Sequence, residues 1–428
     1  MIMYNNKTMK SFFSRMSKNS FVQGGFILTV TSIATGFLNY LFNLFVGKAL
    51  GPEGFGEIAA LFAYLIIFSI PIGIIGTVII QRLGEAKDSF TEANKIHKML
   101  FGLFRQKWYL IILLAILTPF LPKITNLTPI VSYSLPFLLI GGVLGAYYNG
   151  ALQGLHLFFW YSILAIFGTL IKLIGATLVL FGIGGLNIVL LFLILSTIIG
   201  VTASHYIFIK SVKRDVKGTI ASNNNLLKIF KAKQVWLTGA VLAGITLVNN
   251  IDIVFAKKLF DAESAGLYSM WTLFAKIIFY ILSPLVTMSY IFFSSKKHEI
   301  RHQIVFIFSF LLFIIIGVIT NLGYGSYGRH AIDYFFGQQY IGIIPFLEWA
   351  AYFGTGYTMM VFMNYYYLAK KSKTALIPIV LTPVYILALA LYPTNISGVM
   401  YVSTIFTYVN VTIFILIFFK NRFLSLFE

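Results

Sequence analysis

The chain has 428 residues, of which 59% are hydrophobic and 11% are charged, and its formal net charge is +19. A soluble domain carries about 25% charged residues, so this composition excludes an ordinary soluble enzyme and favours a protein with lipid as its solvent. The lack of cysteine excludes disulfides, thiolate metal sites and cysteine nucleophiles. The 6 histidines show no ligand spacing, so we expect no metal site and no cofactor.

Long apolar stretches recur about twelve times along the chain, and a helix needs about 20 apolar residues to cross a bilayer. We therefore predict an all-α polytopic membrane protein with about 12 transmembrane helices. The third stretch is short, and its helix is expected to begin earlier, near Met99. The predicted spans are 24–47, 57–80, 108–122, 133–152, 157–181, 184–209, 235–257, 265–292, 303–322, 341–368, 374–393 and 398–419.

The basic residues are unevenly distributed between the segments that connect these spans. With the N-terminus in the cytoplasm, 25 of the 32 Lys and Arg fall in cytoplasmic segments and only 4 in external ones. Retained cytoplasmic Lys and Arg orient membrane proteins, so we predict that both the N- and C-termini are cytoplasmic. The positive charge meets anionic headgroups there, which makes membrane lipids the expected partners and argues against nucleic acid.

The longest cytoplasmic connection, 210–234, is basic, polar and rich in Asn. It is a natural linker between two predicted six-helix lobes, 1–209 and 235–428. The turns that follow the first and the seventh span resemble each other, with Lys48 aligned on Lys257. Because each lobe has an even number of spans, both lobes have the same orientation, an arrangement typical of secondary transporters with a central site between their repeats.

Several short motifs follow one another in a fixed order along nearly the whole chain. In that order and spacing they resemble the Wzx-type polysaccharide transporter flippases of the multidrug/oligosaccharidyl-lipid/polysaccharide exporter superfamily. The motifs are Leu50–Gly56, Gln81–Glu85, Asn249–Asp252, Ala265–Ser269 and Tyr334–Tyr340.

This resemblance implies a flippase, not an enzyme, that works by alternating access in the bacterial cytoplasmic (inner) membrane. Its substrate would be an oligosaccharide on a polyprenyl pyrophosphate, carried from the inner to the outer leaflet as a repeat of capsule, O-antigen or exopolysaccharide. The polymerase and the glycosyltransferases of polysaccharide biosynthesis would be its protein partners. Lipid II flippases typically have fourteen spans, two more than fit here, which argues against a peptidoglycan precursor as substrate.

Two lysines lie deep in predicted spans, where a charge costs about 2.5–3.5 kcal/mol on insertion scales. Lys172 is in the middle of the fifth span and Lys276 is near the middle of the eighth. We predict that both bind the anionic pyrophosphate or a sugar carboxylate as point charges. The alternative is an ion pair that only holds helices together, for Lys172 with Glu348 or Asp252.

Two acids in predicted spans are candidates for ion coupling. Asp252 lies near the end of the seventh span, beside Asn249, and a helix that unwinds there could bind sodium or a proton. Glu348 lies in the tenth span, where it could carry a proton. The alternatives are a polar clamp between Asp252 and Asn43, and an ion pair between Glu348 and one of the two lysines.

Three further polar residues complete the predicted substrate cavity. Arg82, at the cytoplasmic end of the second span, either lines the cavity mouth or anchors the headgroup interface. Asn43 and Tyr148 can hydrogen-bond to sugars, and their alternative role is to hold neighbouring helices together.

Other function classes fit the sequence less well. A cation-coupled small-molecule or drug exporter of the same superfamily calls for an acidic cavity, which the two central lysines disfavour. A membrane-embedded polysaccharide polymerase needs catalytic residues on a large external loop, and the predicted external loops are short. A scaffold that recruits glycosyltransferases through its basic cytoplasmic segments is compatible with the sequence as an added role.

Overall fold

The computed structural model describes residues 20–215, 233–294 and 299–424, and within these ranges the secondary structure is entirely helical. Three short 3-10 segments, at Thr118–Phe120, Gln338–Phe346 and Lys373–Leu376, join the longer helices. The α-helices in chain order are α1 Ser20–Phe68, α2 Ile70–Glu85, α3 Ser89–Gln106, α4 Tyr109–Leu117, α5 Leu121–Thr125, α6 Pro129–Gly154, α7 Phe158–Leu180, α8 Leu186–Asp215, α9 Lys233–Leu259, α10 Ala262–Ser294, α11 Glu299–Phe335, α12 Leu347–Ala369, α13 Ile377–Leu391 and α14 Ile396–Leu424.

The described part of the chain contains 9 helices long and apolar enough to cross a membrane. A tenth is added if α3 and the segment Tyr109–Thr125, which meet at a bend of 59°, form one broken span. The prediction of an all-helical, multi-pass membrane protein is therefore confirmed. The exact number of twelve spans and the cytoplasmic position of the termini stay predictions.

Two places explain why the helices counted in this way are fewer than the predicted spans. The first candidate, Gly24–Phe68, has 45 residues, and at 1.5 Å per residue it is about twice as long as a bilayer core is thick. It is interrupted at Gly51, whose φ of 68° and ψ of −176° are not helical. The second place is α12, which corresponds to the predicted tenth span and is not among the nine. Most residues of α12 are buried in protein. The helix therefore needs no continuous apolar surface facing lipid, and its sequence can be more polar than that of a lipid-facing span.

Contacts divide the chain into two compact units. Unit 1 comprises Met1–Phe45, Ile72–Ile116 and Pro136–Asn224. Unit 2 comprises Val46–Pro71, Leu117–Leu135 and Asn225–Glu428. The predicted lobes 1–209 and 235–428 follow chain order and stay a prediction. Most of their predicted linker, 210–234, lies outside the described residues.

In unit 2 the buried helix α12 packs against α10, α11 and α14. Aromatic side chains fill these contacts: the rings of Trp271 and Phe353 lie 5.6 Å apart, and those of Phe313 and Phe362 lie 5.1 Å apart. Each of these four side chains is fully buried. Aromatic pairs at such separations add to the stabilisation that burial of their area already provides.

Three of the motifs that carry the family resemblance meet in unit 2. The Gly51 interruption lies in the first motif, and a side chain on Gly266 of α10 would place its Cβ 1.8 Å from the backbone oxygen of Pro52. Only glycine allows the two backbones to approach so closely. From the motif Tyr334–Tyr340, the Tyr340 hydroxyl donates to the Gly47 carbonyl at 2.9 Å and the Gln339 amide donates to the Lys48 carbonyl at 3.3 Å.

A buried ion pair ties three other segments of unit 2 together. Lys257 Nζ of α9 lies 2.8 Å from Glu57 Oε1 of α1, and both side chains are almost fully buried. The second carboxylate oxygen of Glu57 accepts hydrogen bonds from the backbone nitrogen and the hydroxyl of Thr128, at 2.9 and 3.1 Å. The Asn126 amide donates to the Lys257 carbonyl at 2.7 Å. Lys257, the last residue of the predicted span 235–257, therefore has a buried carboxylate as its partner.

We predict that Glu57→Gln destabilises the protein by about 3–5 kcal/mol, because it leaves Lys257 charged, buried and without its carboxylate. The double variant Glu57→Gln/Lys257→Met removes both charges and is expected to recover most of that loss. Thermal unfolding of the purified protein in detergent measures both effects. A double variant no more stable than Glu57→Gln would contradict this account of the ion pair.

Candidate functional site

The most deeply buried charge in unit 2 is Asp252 of α9, whose side chain is 0% exposed. The Tyr268 hydroxyl of α10 donates to Asp252 Oδ2 at 2.7 Å. The same hydroxyl lies 3.4 Å from Ser403 Oγ of α14, which also accepts from the Tyr385 hydroxyl of α13 at 2.8 Å. A continuous hydrogen-bonded chain therefore joins four helices around a carboxylate. Tyrosine suits this position because its ring packs in the apolar interior while its hydroxyl supplies the hydrogen bond.

Lys276 lies two turns after Tyr268 on α10 and is 7% exposed. Helical side chains lean towards the N-terminus, which directs this lysine towards the level of Tyr268. Its ammonium group interacts electrostatically with Asp252. No salt bridge within 4.0 Å joins the two in the described residues, so they are coupled at longer range. The structure thus brings together a predicted ion-coupling acid and a predicted substrate cation.

The helix around Asp252 is not unwound, unlike the helix of the predicted ion site. Helix α9 continues without a break through Asn249 and Asp252, so the unwound backbone that would expose carbonyl ligands is not present. Asn249 is half-buried, and its Oδ1 atom is buried without a hydrogen-bond partner. In the described residues no cluster of three His, Cys, Asp or Glu side chains is arranged to hold a metal ion.

Glu348 lies in the first turn of α12 and is exposed on the surface of unit 2. A carboxylate is favourable there because the helix dipole is positive at its N-terminus. Its backbone oxygen accepts a hydrogen bond from the Asn321 amide at 3.4 Å. The ion pairs of the described residues do not include Glu348, and Lys276 is coupled to Asp252 instead.

The predicted cavity residues Lys172 and Asn43 belong to unit 1. Lys172 of α7 is half-buried, and its Nζ atom lies 5.5 Å from the centre of the Phe42 ring on α1. This is a cation–π contact, which partly replaces the solvation that a lysine loses in the membrane. The amide of Asn43 donates to the carbonyl of Asn39, one turn earlier on α1, at 2.9 Å.

Arg82 forms an ion pair with Glu92 of α3. Glu92 also lies 3.7 Å from Lys95, and the Asp88 carboxylate caps the same helix by accepting from the backbone nitrogens of Phe90 and Thr91. Hydrogen bonds with Thr91 hold the pKa of Asp88 below its usual range. These contacts attach α3 to the end of α2. The second terminal nitrogen of Arg82, Nη1, is buried without a hydrogen-bond partner.

Tyr148 of α6 is buried, and its hydroxyl lies 2.7 Å from Nδ1 of His205 on α8. Its ring also lies 6.3 Å from that of His97 on α3. The sequence gives no sign that these histidines are paired, because they are far apart along the chain. Only the packing of α3, α6 and α8 in unit 1 places them side by side.

An open groove of about 400 Å³ lies between α12 and α14 in unit 2. Its lining is almost entirely apolar and includes Trp349, Tyr352, Ile405 and Tyr408. In a membrane protein a surface of this composition suits hydrocarbon chains.

Comparison with known proteins gives both a family and a fold. The sequence profile of the family described as polysaccharide biosynthesis protein matches residues 21–298. A search of curated protein sequences finds no significant match.

Solved structures of membrane transporters resemble the fold of the whole chain. The inward-facing conformation of a multidrug resistance MATE family transporter of the MOP superfamily superimposes with a TM-score of 0.68 and 13% identity, covering 92% of this chain and 95% of that chain. The lipid II flippase MurJ, in an inward closed conformation, gives 0.68 and 14% identity over 93% and 87% of the two chains. An outward-facing MATE transporter of the same superfamily gives 0.59 and 13% over 94% and 96%. At identities this low, the superpositions establish the fold alone. They confirm the predicted exporter fold.

Proposed function

The chain belongs to the polysaccharide biosynthesis protein family, and on that premise we propose that it is a flippase for an oligosaccharide linked to a polyprenyl pyrophosphate. The substrate would move from the inner to the outer leaflet of the bacterial cytoplasmic membrane by alternating access. The similarity to a structure named as a lipid II flippase supports a lipid-linked substrate. Glycosyltransferases would supply the substrate at the inner face of the membrane, and a polysaccharide polymerase would consume it at the outer face.

The observation that carries this proposal is the position of Lys172. A cation held within a membrane-spanning helix is costly, so such residues usually serve a ligand or a partner. Lys172 is half-buried in unit 1, with its ammonium 5.5 Å from the centre of the Phe42 ring. A lysine binds phosphate as a point charge. We propose that Lys172 binds the pyrophosphate, with Arg82, Asn43 and Tyr148 as further cavity residues of this unit.

In unit 2 we propose that Asp252 is the ion-coupling residue and that Lys276 is its counter-charge. A proton or sodium ion at Asp252 would neutralise the carboxylate and release the lysine ammonium to an anionic substrate. Asn249 supports this assignment because its buried Oδ1 lacks a hydrogen-bond partner and lies one helical turn from Asp252. Glu348, exposed at the start of α12, is the second candidate for proton carriage.

Two other functions receive less support. A small-molecule exporter that binds cationic drugs requires free acids in its cavity, whereas the buried acids Glu57 and Asp252 each face a lysine. A polymerase requires a catalytic segment outside the membrane. Between α9 and α14, the described connections that are not α-helical are short. The longest is the 3-10 segment Gln338–Phe346 with its flanking residues.

We predict that Lys172→Met reduces flipping at least about tenfold, because a hydrogen bond to a charged group contributes about 1.5–3 kcal/mol. Cells that carry it should accumulate lipid-linked oligosaccharide in the inner leaflet and lose surface polysaccharide at a normal level of the protein. Lys172→Arg should retain activity, and Lys98→Met, which removes an exposed cation of α3, is the matched control.

Normal export by Lys172→Met would contradict the anion site. If unpolymerised oligosaccharide accumulated outside the cell instead, the protein would act in polymerisation and the flippase assignment would be wrong.

We predict that Asp252→Asn abolishes the response of flipping to imposed ion gradients, since the amide cannot exchange a cation yet still accepts the hydrogen bond from Tyr268. Flipping in sealed vesicles is measured under proton gradients, under sodium gradients and without either. Glu263→Gln, at an exposed acid in the first turn of α10, is the control and should respond as the wild type does. Gradient stimulation that persists in Asp252→Asn would exclude this residue from coupling.

A further inference from the structure

Where α3, α6 and α8 meet in unit 1, two histidines lie side by side. The ring centres of His97 on α3 and His205 on α8 are 5.9 Å apart. Neither residue belongs to the predicted site, and the proposed function does not use either of them. Histidine is the side chain that gains and loses a proton near neutral pH, so a close pair of them inside a transporter is a candidate proton site.

His97 is enclosed by aromatic rings. The ring centres of Phe101 and Phe208 lie 4.5 and 5.2 Å from its own, and that of Tyr147 lies 5.9 Å away. The Nδ1 atom of His97 is buried without a hydrogen-bond partner, and so is the Tyr147 hydroxyl. Aromatic faces stabilise a cation, so the surroundings of His97 can accommodate an imidazolium. The unpartnered ring nitrogen is where a proton would be gained or lost.

His205 lies beside this half-buried group at the surface of the unit. It is exposed, and its Nδ1 atom lies 2.7 Å from the hydroxyl of the buried Tyr148. The Tyr148 ring in turn lies 6.3 Å from the His97 ring. An exposed imidazole exchanges protons readily with water, whereas the Nδ1 atom of the half-buried His97 is itself buried.

The charged groups on α3, α6 and α8 do not fix the protonation state of the histidine pair. On α3, Glu92 is held by Arg82 of α2 and by Lys95. Helix α6 carries no Asp, Glu, Lys or Arg, and on α8 the ammonium of Lys210 lies against the ring of Tyr206, at 6.0 Å. In the described residues no carboxylate oxygen lies within 4.0 Å of either imidazole. No fixed negative charge therefore holds either histidine permanently protonated.

We propose that His97 and His205 share one proton and form a proton-binding site of the flippase. Two imidazolium ions this close would repel each other, so the pair accepts one proton and the second is disfavoured. Because His97 lies on α3, the gain of that proton changes the contact between α3 and α8. The site deepens the proposed flippase function, on which its role in transport rests, but its proton binding can be measured separately.

The direct test follows the histidine ring nitrogens by NMR of the full-length protein labelled with ¹⁵N-histidine, during a pH titration in lipid nanodiscs. His205→Gln is expected to move the titration midpoint of His97 upwards, since the positive charge that competes with protonation of His97 is removed. His330→Gln, at an exposed site of α11, is the control and should leave the His97 midpoint where it is. An unchanged His97 midpoint in His205→Gln would overturn the shared site.

The transport arm measures flipping of a polyprenyl-pyrophosphate oligosaccharide in vesicles at equal internal and external pH, from pH 6 to pH 8. The wild type is expected to change its rate several-fold across this range, and the double variant His97→Gln/His205→Gln should retain flipping without that dependence. A double variant with the wild-type pH profile would overturn the role in transport. If the wild type moved no such lipid, the flippase proposal would fail, while the NMR titration would still decide whether the pair binds one proton.

Discussion

The cost of placing charge in a membrane is the constraint on which the rest of this structure depends. A spanning segment tolerates an ionised side chain only when protein groups replace its water. Glu57 and Lys257 meet this requirement with a direct ion pair and added hydrogen bonds. Asp252 meets it with the tyrosine and serine hydroxyls of three neighbouring helices, and Lys276 is close enough to be coupled to its charge. Among its described residues, unit 2 therefore contains one pair in direct contact and one pair coupled at longer range.

Three of the five family motifs make structural contacts that do not depend on transport chemistry. Gly51 interrupts α1, Gly266 lets the backbone of α10 approach Pro52, and Tyr340 ties the following segment to the Gly47 carbonyl. These contacts fix the end of the first predicted span within unit 2. Of the four proposed cavity residues in unit 1, Lys172, Asn43 and Tyr148 lie outside the motifs and Arg82 lies within one, so the motifs identify the fold and family better than they identify the substrate.

Hydropathy predicted the helices well because each lipid-facing span must be apolar along its whole length. The same reasoning also predicted a helix where α12 lies, although α12 is buried in protein and is preceded by a 3-10 segment. Side-chain pairing was not predictable, since it depends on how helices are rotated about their axes. Asp252 and Lys276 were assigned to separate roles, and the pairing of His97 with His205 was missed because the two are joined only by tertiary packing.

The central claim is that this chain moves a lipid-linked oligosaccharide across a bilayer without altering it. The most direct measurement uses purified full-length protein in sealed vesicles that carry a polyprenyl-pyrophosphate oligosaccharide labelled in one leaflet only. The account predicts that the protein accelerates equilibration of the label between the leaflets and that the recovered lipid is chemically unchanged. Equilibration no faster than in protein-free vesicles, or recovery of a lengthened or cleaved product, would contradict it.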